Sequence, residues 1–269
     1  MATLACFHAH PDDESIATGG VMALAKRDGH RVVLVVATRG ERGEIQPGVL
    51  DAGEELWERR VKETAAAAEV LGVDRVEFLG YEDSGMMGEP TNDEPGTFWT
   101  ADVGEAADRL AAILRDEQVD VLTVYDANGN YGHPDHIQVH RVGHAAAERA
   151  GVTRVLEATM DRDFIRQGMA EAAERGDLPD DFEPPDHTDE SPFGSPASAI
   201  THEVDVRDVV AQKRRALAAH ASQVAPDSFF LSMDDDAFAL AFGQEWFIDP
   251  SMVRAPGAPR ATTVFQEVP

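Results

Sequence analysis

Leu4-Ala5-Cys6-Phe7-His8-Ala9-His10-Pro11-Asp12-Asp13-Glu14 carries an apolar run straight into two histidines, a proline and three acids. Leu4 to Ala9 reads as a strand and Glu14 to Asp28 as a helix stopped by Gly29, so the polar cluster occupies a strand-to-helix turn. The same grammar returns later: the apolar run Val119 to Tyr125 is followed by His133-Pro134-Asp135-His136 and then by a helical pattern from His136 to Ala150.

Between and beyond these two units the chain keeps alternating. Arg31 to Ala37 is a nearly continuous apolar run, the pattern of a strand buried on both faces of a parallel sheet. Glu54 to Leu71 has Leu56, Val61, Ala65, Ala68 and Leu71 at helical spacing and Gly72 as a stop. Arg75 to Gly80 is a third strand, Asp102 to Glu117 a helix, and Arg154 to Thr159 a fifth strand. Alternating strands and helices over residues 1–160 imply an α/β, Rossmann-like, mainly parallel sheet flanked by helices, with right-handed crossovers. If the strand order is 3-2-1-4-5, strands one and four are neighbours where the order reverses, and ligands bind beyond the strand ends at that point. Topology alone then brings His10 and His136 together.

Residues 161–269 read as a C-terminal extension of strand and helices that completes the pocket, within a single structural domain. Ser198 to Val206 alternates like a strand, Val209 to Val224 is helical, and the residues from Ala255 read as loosely structured. Glu82 to Ala101 has the mixture of a pocket rim, and Asp177 to Pro196, rich in Pro, Asp and Glu, reads as a solvated connector more readily than as a lid or a specificity insertion.

Two separated His/Asp clusters at one crevice have the chemistry of a divided metal site. Catalytic zinc takes three nitrogen or oxygen ligands and leaves a fourth position open. His10, Asp13 and His136 would supply that set, whose ligand types also accept other divalent first-row metals. Asp12, between two ligands, sits where a base for activated water belongs. Asp135 is expected to accept the ring N–H of His133, keeping that imidazole oriented and charged for an oxyanion or a leaving amine. Tyr131, in a glycine-flanked run, can reach the same oxygen. The chemistry described is metal-assisted hydrolysis of an amide.

Each residue has a competing role. Asp12 could instead cap the helix that follows it. His8 shares a strand face with His10 and reads as a packed neighbour more readily than as a ligand. His136, His140 and His144 recur at helical spacing, so a His136/His140 pair is an alternative ligand geometry. Met86 and Met87 read as rim packing.

Composition narrows the partners. The chain has 50 Asp plus Glu against 23 Lys plus Arg, a formal charge of −27 in 269 residues, with lysine only at 26, 62 and 213. Such a surface repels nucleic acid and anionic membranes. The single Cys6 permits no intrachain disulfide, no targeting signal is visible at the N-terminus, and no window approaches a membrane span, so a cytoplasmic location is expected.

The motifs His-Ala-His-Pro-Asp-Asp-Glu-Ser, Tyr125 to His136, Asp83-Ser84-Gly85 and Lys213 through Gln223 resemble the LmbE/PIG-L family of zinc-dependent N-deacetylases. Within it the chain is most similar to the actinobacterial branch acting on glucosaminyl-inositol compounds of mycothiol metabolism. The resemblance implies one Zn2+ on His10, Asp13 and His136, Asp12 as general base, His133 and Tyr131 at the oxyanion, and Asp135 tuning His133. It also implies Arg60 and Asp83 on sugar hydroxyls, with His220 and Gln223 reaching the pocket from the C-terminal helix. The expected function is removal of an N-acetyl group from a small-molecule 2-acetamido sugar conjugate. An amidase cleaving a larger amide such as a mycothiol S-conjugate, and a non-catalytic metal- or sugar-binding module, are the rival readings.

Overall fold

A computed structural model describes residues 1–175 and 193–265. In chain order the elements are β1 (Thr3–His8), α1 (Asp13–Ala17), α2 (Gly19–Arg27), β2 (Arg31–Thr38), α3 (Leu56–Leu71), β3 (Arg75–Tyr81), α4 (Val103–Asp116) and β4 (Val121–Tyr125). There follow α5 (Gly129–Gly132), α6 (Pro134–Ala150), β5 (Arg154–Thr159), α7 (Arg162–Arg175), β6 (His202–Asp205), α8 (Val210–Ala218), α9 (Phe229–Ser232), α10 (Asp235–Phe242) and β7 (Gln244–Ile248).

These strands form one seven-stranded sheet in the order β3-β2-β1-β4-β5-β7-β6. The expected order of the first five holds, all pairing in parallel, and β1 lies beside β4 with Leu4, Ala5 and Cys6 opposite Val121, Leu122 and Thr123. Every residue of β1 and β4 is buried, which is why both read as unbroken apolar runs. Alternation along β1 splits the core. Ala5 and Phe7 pack with Leu110, Val139 and Val142 of α4 and α6, while Leu4 and Cys6 pack with Met22, Leu71 and Ala216 of α2, α3 and α8.

Several boundaries differ from expectation. The helix after β1 is broken at Thr18, whose hydroxyl meets His8 Nε2 at 2.8 Å. Gly19 and Gly20 are weak helix formers. α2 restarts there because Glu245 of β7 accepts the Gly20 and Val21 backbone N–H groups at 2.7 and 2.8 Å, a carboxylate at the positive end of a helix. A Cβ on Gly20 would stand 2.4 Å from Val206, so the close approach requires glycine.

β7 was not visible in the sequence; it is five residues long and antiparallel to both β5 and β6, so the extension's strands continue the same sheet. The strand read at Ser198 to Val206 contracts to β6, and the helix read at Val209 to Val224 ends at Ala218. The chain then turns inward, because Ser222 binds the buried Glu63 carboxylate through its N–H at 2.8 Å and its hydroxyl at 2.6 Å. Of the segment Asp177 to Pro196, only the last residues from Phe193 are described, so the connector reading lies largely outside the described residues. No helix among the described residues is long and apolar enough to cross a membrane.

Candidate active site

Adjacent parallel strands end at the same side of a sheet, and the chain leaving β1 and β4 there is what builds the site. Past β1 the backbone runs through His10, Pro11 and Asp12 into α1; past β4 it runs through α5 into α6, with His133 as N-cap and Pro134 in the first turn. The rings of His10 and His133 lie 4.6 Å apart, and those of His10 and His136 lie 5.5 Å apart. The sequence-derived juxtaposition is therefore present.

Asp13 Oδ2 is the centre of the cluster. It accepts the His10 backbone N–H at 2.8 Å, and it lies 3.4 Å from both His10 Nδ1 and His136 Nε2. Burial alone would raise the Asp13 pKa, but His136 and then His10 hold it well below the usual carboxylate range. His136 is 1% exposed and stacked on the Tyr125 ring at 4.2 Å, and neither of its ring nitrogens has a hydrogen-bond partner. A buried nitrogen left unpaired costs about 1–3 kcal/mol. Two imidazoles and a carboxylate converging with lone pairs to spare fit a borderline divalent cation. A ring nitrogen of His133 also lies within 4.8 Å of those of His10 and His136, which places this imidazole at the edge of the same basin.

The other side of His10 is held by carboxylates. Its Nε2 lies 3.1 Å from Asp135 Oδ2 and 3.5 Å from Asp83 Oδ1. Burial would lower the His10 pKa, but Asp83, with Asp13 and Asp135, raises it well above the ordinary value. The Asp135 carboxylate is itself fixed by the Ser84 N–H at 2.9 Å and by the Ser84 hydroxyl.

This corrects the expected Asp135–His133 pairing. His133 Nδ1 instead accepts the Asp135 backbone N–H at 3.1 Å, as the N-cap of α6, which leaves Nε2 as its N–H. Burial, followed by His10 and His136, pushes the His133 pKa down to about 3, so this imidazole is neutral rather than charged. As a neutral donor it suits an oxyanion better than it suits protonating an amine.

Asp12 makes no capping hydrogen bond although it occupies the N-cap position of α1, so the capping alternative is not what the residue does. Its φ of 100° is rare for a residue with a Cβ and costs about 1–3 kcal/mol. Glu14 Oε2 holds it there by accepting the Asp12 N–H at 3.0 Å. Burial raises the Asp12 pKa to about 6, with Arg60 pulling the other way.

Of the residues expected to hold sugar, Arg60 is 3% exposed, donates to Gly40 O at 2.9 Å and Pro11 O at 2.5 Å, and lies 3.3 Å from Asp12 Oδ2. The guanidinium thus braces the Asp12 turn. Its neighbour Arg59 faces away, onto Asp51 and Glu54. His220 is fully buried, 2.7 Å from Glu14 Oε1, and does not line the pocket, because the buried Glu14 carboxylate takes it as partner. Asp83 is buried against His10 and the Gly85 N–H. Gln223 is half-buried and donates to Glu44 O at 3.0 Å. Tyr131 is 44% exposed, its ring 4.9 Å from that of His136, at the rim.

His8 is a satisfied core residue, 2.7 Å from the Tyr125 hydroxyl and 2.8 Å from that of Thr18, and burial lowers its pKa to about 4. His140 turns away from His136 towards Tyr125 O, so the alternative His136/His140 pair is not formed. Sequence reasoning missed Glu14, Ser84 and Tyr125 as parts of the site. Each had stood in a quoted motif, but none carries a lone polar signature that separates support from packing.

Comparison with known proteins agrees with this geometry. The family model described as PIG-L, GlcNAc-PI de-N-acetylase, matches residues 5–147, from β1 into α6. The chain is 42% identical over 259 residues to the 1D-myo-inositol 2-acetamido-2-deoxy-alpha-D-glucopyranoside deacetylase of Acidothermus cellulolyticus, covering 92% of this chain and 88% of that one. It is 40% identical over 260 residues to the protein of the same name from Thermobispora bispora, covering 89% and 85%. Among solved structures, the N,N'-diacetylchitobiose deacetylase of Pyrococcus horikoshii superposes with a TM-score of 0.56 at 23% identity, covering 91% of this chain and 82% of that one, a likeness of fold. Motifs, strand order and relatives converge: this chain belongs to the PIG-L family of de-N-acetylases.

Proposed function

We propose that the chain is a metal-dependent N-deacetylase that hydrolyses the acetamido group of a 1D-myo-inositol 2-acetamido-2-deoxy-glucopyranoside. The observation that carries this reading is the cluster at Asp13 Oδ2, with two imidazole nitrogens at 3.4 Å beside a half-buried Asp12 whose pKa is about 6. Relatives bearing that substrate in their names, aligned along about nine-tenths of this chain, support the choice of amide.

His10, Asp13 and His136 would hold the cation, for which the two-nitrogen, one-oxygen donor set favours zinc. When bound, such an ion supplies Lewis acidity, polarising the amide carbonyl and lowering the pKa of water. The protein's own groups do the rest. Asp12 takes a proton from the attacking water as its oxygen bonds to the acetyl carbon. The His133 Nε2–H, with the Tyr131 hydroxyl at the rim, donates to the amide oxygen as it gains negative charge. The C–N bond then breaks, and protonated Asp12 returns its proton to the departing amine, giving acetate and a free amino sugar. Asp135 orients His10, and Arg60 and Glu14 hold the Asp12 turn. From the C-terminal extension, His220 backs the Asp12 turn through Glu14, and Gln223 meets Arg60 at Gly43.

The test is a comparison of turnover on N-acetylglucosaminyl-inositol with turnover on a thioether-bearing conjugate of the same amino sugar. Acetate release at a kcat/KM at least tenfold higher than cleavage of the conjugate supports the deacetylase reading. Preference for the conjugate would make the protein an amidase on larger amides, and binding without turnover of either would leave a non-catalytic module.

A further inference from the structure

The histidine periodicity along α6 continues past the active site. His140 and His144, one turn apart, direct their rings to a common point, with centroids 4.6 Å apart, where Glu157 rises from the neighbouring strand β5. His144 Nε2 lies 2.9 Å and His140 Nδ1 3.5 Å from the same oxygen, Glu157 Oε1. One ligand atom from each of the three residues lies within 4.8 Å of the other two. Glu157 is only 8% exposed, yet it sits in a strand hydrogen-bonded on both sides, where an apolar residue would be expected.

We propose that His140, His144 and Glu157 form a second divalent-cation site, separate from the cluster at Asp13. Two histidines at i, i+4 on one helix face with a carboxylate from an adjacent element reproduce a two-nitrogen, one-oxygen set for zinc or a similar first-row ion. Ligand bonds of about 2.0–2.2 Å require donors roughly 3–3.5 Å apart, so a cation replaces the hydrogen bond between His144 and Glu157 with little rearrangement.

The tautomer of His140 is already set. Its Nδ1 lies 3.0 Å from Tyr125 O, and a carbonyl can only accept, so Nδ1 carries the hydrogen and Nε2 is the nitrogen that would meet the ion; the 3.5 Å approach of Nδ1 to Glu157 Oε1 sets the ring beside the carboxylate and is not itself the ligand contact. The side chains of His140 and His144 are 22% and 32% exposed, which gives an ion a path in, and a chain of formal charge −27 concentrates cations at its surface.

The ion would clamp α6 to β5. The same helix carries His133 and His136, and the same Tyr125 that receives His140 stacks on His136. A cation here therefore rigidifies the scaffold of the active site without touching substrate, which makes its role one of stability.

Equilibrium dialysis against micromolar Zn2+, followed by elemental analysis, tests the proposal independently of activity. The wild type should saturate at two equivalents per chain. Asp13→Ala should lose one and keep the other, whereas His144→Gln and Glu157→Gln should lose the second and keep the first, so failure of the catalytic assignment and failure of this one give different patterns. The melting temperature of Asp13→Ala should rise with added Zn2+, and that rise should vanish when His144→Gln is added. Should a variant not fold, Co2+ titration of the wild type decides, since two saturable absorption steps are expected. Saturation at one equivalent, a second equivalent that persists in both His140→Ala and His144→Gln, or non-saturating uptake would overturn it.

Discussion

Glu14 Oε1 and His220 Nε2 meet at 2.7 Å with neither side chain exposed, and the other oxygen of the same carboxylate holds the Asp12 N–H at 3.0 Å. A histidine from the C-terminal extension thus fixes the backbone of the proposed base in a conformation it would not adopt alone. Burial would lower the His220 pKa and raise that of Glu14; each partner reverses the shift in the other, so the pair is charged.

Replacing His220 by alanine should lower kcat by about tenfold or more, with KM and bound metal little changed, since Asp12 loses its aim while the metal cluster is untouched. It leaves a buried carboxylate unpaired, so a stability loss of about 3–5 kcal/mol is expected in chemical denaturation. His220→Gln, which restores a donor, should recover part of kcat. Full activity in His220→Ala would show that Asp12 needs no such support.

The pH profile follows from Asp12. As a base it works deprotonated, and its pKa is raised to about 6, so kcat/KM should fall as pH drops through about 6 and level off above it. Arg60 lowers that pKa, so Arg60→Ala should move the acid limb to higher pH. Asp12→Asn should abolish the limb and cost about a hundredfold or more in kcat, with metal still bound. An acid limb that persists unchanged in Asp12→Asn would contradict the assignment.

Asp135 should matter through metal rather than through His133. Because its carboxylate orients His10 at 3.1 Å, Asp135→Ala should weaken Zn2+ affinity by about 10–100-fold, measured by competition with a chromophoric chelator. Ser84→Ala, which removes one of two donors to that carboxylate, should give a smaller loss in the same direction. Unchanged affinity in Asp135→Ala would separate Asp135 from the ligand set.

Lys213 and Glu245 form an ion pair at 2.7 Å, each side chain 2% exposed, with Glu245 also holding the first N–H groups of α2. Lys213→Met leaves that carboxylate buried without its cation and should cost about 3–5 kcal/mol in stability. Calorimetry reads this as a lowered Tm, and an unchanged Tm would show that the helix N–H groups alone suffice.

What the sequence made legible, and what it hid, follows from the range of the forces involved. β1, β2 and β4 are buried on both faces, so burial writes itself into unbroken apolar runs, and the order around β1 and β4 follows from crossover rules. The meeting of His10, Asp13 and His136 came with that topology. Asp135 lies in the expected cluster but faces His10 rather than His133, because as N-cap of α6 His133 turns its Nδ1 to the Asp135 backbone N–H, a geometry that the sequence does not display. Arg60 and His220 were expected to touch substrate, but a charged residue bracing a strained turn and one binding sugar look alike in sequence. β7 and the break between α1 and α2 are one long-range event, Glu245 reaching Gly20 across 225 positions, which no local pattern encodes.

The proposed role of Asp13, with His10 and His136, is to hold the metal on which acetamide hydrolysis depends. It is tested most directly by following acetate release from N-acetylglucosaminyl-inositol with the protein stripped by chelator and then given back Zn2+, in parallel for wild type and Asp13→Ala. Stripping should abolish release, Zn2+ should restore it in the wild type, and Asp13→Ala should stay inactive throughout while remaining folded. Undiminished release from thoroughly stripped wild type, or full rescue of Asp13→Ala by Zn2+, would contradict it.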